Sequence, residues 1–290
     1  MKNAERSGHT TQSVNKTSKL RRARPTEQVR IVLLSTREAG EVRVATSIQS
    51  VLQTAFAGAG RRRLVLFPGA QISRGHRWPS SRDVVEEMLA DEGAAGLFEA
   101  RTEGVERAYY AFDPNAGGRL DVTIHQTFAT AHEANENKVR ELLDACRTGQ
   151  RTIVVGGIPI GLLVCGENNV LSNVQAEGNR VAVRHLGGSK IFTDTRVVLN
   201  GAHTRMGSWG KLERRFEWLS RRGGWAFFNT NINGAWGRSE LRAYFDGELR
   251  ACGRHSILPV RTTKIQYLGT NATCRALVID VAAEQLLPWK

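Results

Sequence analysis

The chain has little of what would place it in a membrane, a disulfide scaffold or a nucleotide-binding family. Its longest apolar run, Ile153 to Cys165, is 13 residues and is broken by Gly156, Gly157, Pro159 and Gly161. A helix needs roughly 20 apolar residues to cross a bilayer, so no membrane span is expected. The first residues, Met1-Lys2-Asn3-Ala4-Glu5-Arg6, lack the apolar stretch of a secretory signal, and a cytoplasmic protein is expected. Four cysteines (Cys146, Cys165, Cys252 and Cys274) are too few for a disulfide framework. No two of them have the C-x-x-C spacing of a zinc or redox pair, so each reads as a free thiol. Neither a GxGxxG sequence nor a P-loop occurs, and there is no internal repeat.

What remains is a chain of 290 residues, 41% apolar and 24% charged. At that length it buries about three-quarters of the surface its unfolded form exposes. The net charge is +13, of which +6 falls in the first 30 residues. Residues 1–27 are rich in Ser, Thr, Asn and Lys, with hardly any large apolar side chain, and read as a disordered basic arm. Such an arm attracts polyanions. It lacks the interleaved aromatics that stack on bases, which weighs against nucleic acid as its partner.

Order begins with the β-branched run Val29–Leu34, a buried strand, followed by a helix over 44–57 with Ile48, Val51, Leu52 and Phe56 at helical spacing. Arg63–Phe67 is a second strand closed by Pro68-Gly69, and a second helix starts at Ser81. The pattern then changes to strand, turn, strand: Gly96–Ala100, Arg107–Phe112, a turn at 113–118, and Arg119–Thr127. A helix near Asn137–Cys146 precedes paired strands at Arg151–Val155 and Ile160–Cys165. Later strands are expected at Thr195–Leu199, Gly224–Asn229, Ser239–Phe245 and Ala276–Val281, with a helix at Lys211–Arg222. The sum is a mixed α/β protein with helices outside its sheets.

This order of pieces resembles the nitrilase superfamily of carbon–nitrogen hydrolases, over residues 28–290 as a single domain. The matching segments are Leu64-Val65-Leu66-Phe67-Pro68, then Gly96-Leu97-Phe98-Glu99 through Gly118-Arg119-Leu120. Ile160-Gly161-Leu162-Leu163-Val164-Cys165-Gly166-Glu167-Asn168 is similar to the family's nucleophile segment, and Leu199-Asn200-Gly201-Ala202-His203 and Phe227-Phe228-Asn229-Thr230-Asn231 to its last third. The resemblance implies a four-layer α-β-β-α sandwich, pairing into a homo-oligomer, small amide, nitrile or carboxylate-bearing ligands, and chemistry without metal or organic cofactor.

The resemblance also implies a Glu, a Lys and a Cys acting together, as base, electrostatic donor and nucleophile. Here Cys165 matches the nucleophile. Gly69 stands where the family has its Glu and Gln126 where it has its Lys. Neither replaces the lost group: glycine accepts no proton, and an amide is a weaker dipole than an ammonium. The first reading is therefore a nitrilase-like protein that is catalytically silent or strongly altered. The second is an active hydrolase or amidase in which Cys165 works with a relocated base: Glu167, two residues from the sulfur, His125 or Glu133. His125 on a strand would face away from its neighbour Gln126. Glu133 and Glu136, Gly166 and Asn168, and His203 and Arg205 at a strand end are candidates to line the pocket. A third reading has the basic arm binding nucleic acid or an acidic partner.

Overall fold

The computed structural model describes residues 27–36, 41–58, 62–69, 81–100, 108–174, 180–186, 190–203, 209–231, 241–253, 255–256, 264–268 and 273–288. The arm over 1–26 and Arg205 lie outside them. Two seven-stranded sheets make up the centre. In the first, β1 (Gln28–Thr36), β2 (Arg62–Leu66) and β3 (Ala95–Ala100) run parallel, flanked by β4 (Ala108–Asp113) and the two-residue β5 (Gly118–Arg119) on one side. On the other side are β16 (Cys274–Ala282) and β15 (Lys264–Leu268), again antiparallel. In the second sheet, β7 (Ile158–Val164), β10 (Val197–Ala202) and β11 (Trp225–Thr230) are the parallel centre. β6 (Thr152–Val155) borders it on one side, and β12 (Leu241–Phe245), β13 (Glu248–Cys252) and β14 (His255–Ser256) on the other. Helices α1 (Glu41–Phe56) and α2 (Ser81–Asp91) cover the first sheet, and α3 (Glu136–Arg147) and α4 (Trp209–Leu219) the second. This is the expected α-β-β-α sandwich.

Strand periodicity explains the layering. In β1, Val29, Ile31 and Leu33 face the opposite sheet, while Val32 and Leu34 face the helices. In β2, Leu64 and Leu66 go inward while Val65 goes outward; in β4, Tyr109 and Ala111 go inward and Tyr110 and Phe112 outward. Because every central strand is covered on both faces, the strands read as near-continuous apolar runs.

The parallel centres of both sheets end at one rim, where the two layers are tied together. The side-chain amide of Asn229, at the end of β11, donates to Leu34 O at 3.2 Å and Leu66 O at 2.8 Å, both in the first sheet. The Ser35 hydroxyl donates to the Thr230 carbonyl, and Gly69 N donates to Ala202 O at 3.2 Å.

Some expectations change. The strand expected over Arg119–Thr127 stops at Arg119, with one isolated bridge between Tyr109 and Ile124. Its backbone groups go elsewhere: Val122 N turns back onto Leu120 O, and Thr127 N donates to the Glu167 carboxyl. Of the strand expected over Ser239–Phe245, Leu241–Phe245 forms as expected, and Ser239 and Glu240 lie outside the described residues. Strands β8 (Leu171–Val174), β9 (Arg180–Val183), β13 and β15 were not expected, being short and only partly buried.

Asn229→Ala removes a buried amide that serves two carbonyls of the other sheet. The expected outcome is a loss of about 1–3 kcal/mol, read as a lower midpoint in urea with an unchanged slope. An unaltered midpoint would show that the tie carries no weight.

Candidate active site

Cys165 follows β7 as the first residue of a 3-10 turn over Cys165–Val170, with φ of +44°. That conformation is costly for a residue with a β-carbon, by roughly 1–3 kcal/mol, and persists only where its surroundings enforce it. Several contacts do so. Gly166 lies so close to the Ala129 carbonyl that a β-carbon there would overlap it. The Asn200 amide donates to the carbonyls of Leu163 at 2.9 Å and Cys165 at 3.1 Å. Arg215 Nη1 donates to Asn168 O at 3.2 Å.

Glu167 is fully buried inside this turn and accepts four hydrogen bonds. Val164 N donates to Oε2 at 2.7 Å and Thr127 N to Oε1 at 2.6 Å, while Arg151 reaches both oxygens at 3.2 and 2.8 Å. Burial dominates its titration and pushes it up, opposed by Arg151 and the two backbone donors. With its acceptor positions occupied, Glu167 is a brace for the turn and not a base for the sulfur. This corrects the expectation that it assists Cys165 as an acid or base.

His125 is exposed, and its carbonyl accepts from Arg151 Nη2 at 2.9 Å. The alternation argument does not apply to it, because no strand runs there. Glu133 accepts from Ala129 N and the Thr130 hydroxyl, both at 3.0 Å, bonds that hold its carboxyl below the usual range. Glu136 is exposed in the first turn of α3 and pairs with Arg140 at 2.8 Å. Gln126 does lie beside the nucleophile turn: its Nε2 donates to Phe128 O at 3.0 Å and approaches Val164 O at 3.4 Å. Asn168 is buried, and neither polar atom of its side chain has a hydrogen-bond partner.

His203 is the residue brought to the sulfur. Val197, Leu199 and Gly201 on β10 face the first sheet, and His203 continues that parity one residue past the strand. Glu99 takes the matching inward parity on β3, after Ala95 and Leu97. Across the gap His203 Nε2 meets Glu99 Oε2 at 2.7 Å, with Glu99 only 3% exposed. Burial alone would hold the imidazole neutral, but hydrogen bonds to Cys165 and Glu99, together with their charges, outweigh it and push the imidazole up to about 9.

Gly69 makes room for this arrangement. A β-carbon at that position would stand 2.6 Å from His203 Cδ2 and 3.1 Å from Nε2. Thus the space a side chain at position 69 would take is filled by an imidazole from the opposite sheet. Glu99, which the sequence reading left without a role, carries one visible signal: it is the only charged residue in a six-residue strand, Ala95–Ala100, that is otherwise small or apolar. Among the described residues no cluster of His, Cys, Asp and Glu is arranged to hold a metal ion, and no helix is long and apolar enough to cross a membrane.

The raised imidazole has a definite sign in stability. His203 is protonated in the folded protein up to about pH 9 but titrates near 6.5 when unfolded. Its contribution is therefore complete below about pH 6.5 and is lost as pH rises through about 9. The difference in Tm between wild type and His203→Gln, followed from pH 6 to 10, should be largest at the acid end and vanish at the alkaline end. A difference that grows with pH would contradict the assignment.

No protein-family model matches the sequence, and no curated protein matches it. Solved structures do. An amidase from Nesterenkonia sp. superposes with a TM-score of 0.52 at 15% identity, over 91% of this chain and 94% of that one. A carbon–nitrogen hydrolase from Helicobacter pylori gives 0.56 at 10% identity, over 90% and 91%. A CN-hydrolase superfamily protein from Xanthomonas campestris, with an arsenic adduct in its active site, gives 0.54 at 14% identity, over 89% and 92%. At these identities the likeness is one of architecture, and this chain has the fold of the nitrilase superfamily.

Proposed function

We propose that this protein is a cysteine-dependent hydrolase of small amides, with Cys165 as nucleophile, His203 as its acid and base, and Glu99 holding the imidazole. The observation that carries this reading is the His203 ring held at 2.7 Å by the buried Glu99 carboxyl, with Cys165 among the groups that raise its titration. Silence was expected because neither Gly69 nor Gln126 replaces the base or the cation. An imidazole held charged by a buried carboxyl supplies both in turn. As a cation it favours the thiolate beside it; after giving up its proton it is a base.

The steps balance with these groups alone. The Cys165 thiolate attacks the carbonyl carbon, and the C–N bond breaks as His203 passes its proton to the leaving amine. With Nε2 taken by Glu99, Nδ1 is the nitrogen left to face the reacting atoms. Water then attacks the thioester while the neutral imidazole takes its proton. The C–S bond breaks, releasing the carboxylic acid product and restoring the thiolate–imidazolium pair. The likeness to an amidase supports an amide as the acyl donor, although fold alone does not decide chemistry.

The remaining thiols provide an internal control, since burial pushes Cys146 and Cys274 up to about 12. At pH 7, iodoacetamide should label Cys165 rapidly and spare those two. His203→Gln should lower kcat/KM for a short aliphatic amide by about 10²–10⁴, and p-nitrophenyl acetate should give a burst of p-nitrophenol that Cys165→Ala abolishes. Slow labelling of all thiols alike, with no burst from the wild type, would return the protein to the silent reading.

A further inference from the structure

We infer that the Tyr109 hydroxyl is the hydrogen-bond donor that receives the negative charge forming on the substrate's carbonyl oxygen. This rests on the proposed acyl-transfer reading and adds to it a residue that neither the sequence nor the family pattern points to. Tyr109 faces Glu99 directly across the β3–β4 pair, and both side chains point into the space between the sheets. The residue is fully buried, yet its hydroxyl has no hydrogen-bond partner. Buried hydroxyls are nearly always paired, so an unpaired one calls for an explanation.

Its position supplies one. The hydroxyl lies against Gly201, where any β-carbon would overlap it, and Gly201 is paired in register with Val164, the residue before Cys165. The phenol oxygen is therefore seated at the end of β10, between the strand that ends in the nucleophile and the strand that carries Glu99. Burial is the largest influence on its titration, and the charges of Glu99, Cys165 and Glu167 act in the same direction, all raising it well above 10. The phenol thus stays a neutral donor while the reaction runs.

Two of the nearby candidates are committed. Gln126 Nε2 is bonded to the Phe128 carbonyl, and His203 must release its proton to the leaving amine. A hydroxyl left unpaired in the resting site costs no existing bond when a tetrahedral oxyanion forms, which is the condition for electrostatic preorganisation.

The test compares two reactions of the same sulfur: acylation by p-nitrophenyl acetate, which develops an oxyanion, and alkylation by iodoacetamide at its methylene carbon, which does not. In Tyr109→Phe the acylation rate should fall about 10²–10³-fold with KM changed little, while alkylation and Tm stay at wild-type values. Acylation at the wild-type rate overturns the inference. So does a parallel loss of both reactions, which would place the phenol's effect on the sulfur or the fold. If Tyr109→Phe fails to fold, 3-fluorotyrosine at position 109, nearly the same shape and a stronger donor, decides: acylation should rise above wild type, and a rate at or below it overturns the inference. A wild-type protein that shows no burst and only slow alkylation refutes the acyl-transfer reading itself, a result distinct from any of these.

Discussion

The imidazole of His203 is the point on which the site depends, because it is held from two layers at once. Its ring comes from the end of a strand in the second sheet, its carboxyl partner Glu99 from the first sheet, and the sulfur from a neighbouring strand of the second. The contact therefore exists only when the two sheets are stacked in the right register. The Asn229 amide and the Gly69 N–H join the same strand ends and so hold this contact as well as the fold. A shift of one residue in any of these strands would turn Glu99 or His203 to the helical side.

Gly69 and His203 are one structural choice made at two positions. A residue with any side chain at position 69 would collide with the ring, and without the ring Glu99 would lose the imidazole it is bonded to. The departure from the family's pattern at position 69, read alone, looks like loss of function. On the proposed reading, positions 69 and 203 together make an exchange, in which a carboxyl on one strand end gives way to an imidazole on another and Glu99 orients it.

Much of the architecture was legible because strand alternation and helical spacing are local properties: the runs at Val29–Leu34, Arg63–Phe67 and Ile160–Cys165 each form strands as expected. The turn that carries Cys165 was legible as well, from an apolar strand ending in Cys-Gly-Glu-Asn. What was not legible depends on pairing across the sandwich. Nothing within a few residues of Glu99 announces His203, which lies 104 positions away. Glu167 misled for the converse reason: its closeness in sequence to Cys165 suggested a base, but a carboxyl two residues along a tight turn folds back onto that turn's own backbone donors and Arg151. The parity of β3 and β10 held a clue, since an acid at an inward position of a buried strand needs a partner on the facing layer.

Concentrating base and cation in one ring has a consequence for the rest of the site. A lysine beside a cysteine keeps its charge throughout a reaction, whereas an imidazole that has passed its proton to a leaving group is neutral when the tetrahedral intermediate collapses. Charge on the substrate oxygen must then be met by groups that do not titrate: backbone N–H groups of the turn and a neutral side-chain donor. A phenol sealed between the sheets satisfies that requirement better than a surface group, because the burial that leaves it unpaired also keeps its proton in place. Gly201 leaves room for the phenol and Gly69 for the imidazole, so both side chains pack between the layers beside the strained turn at Cys165.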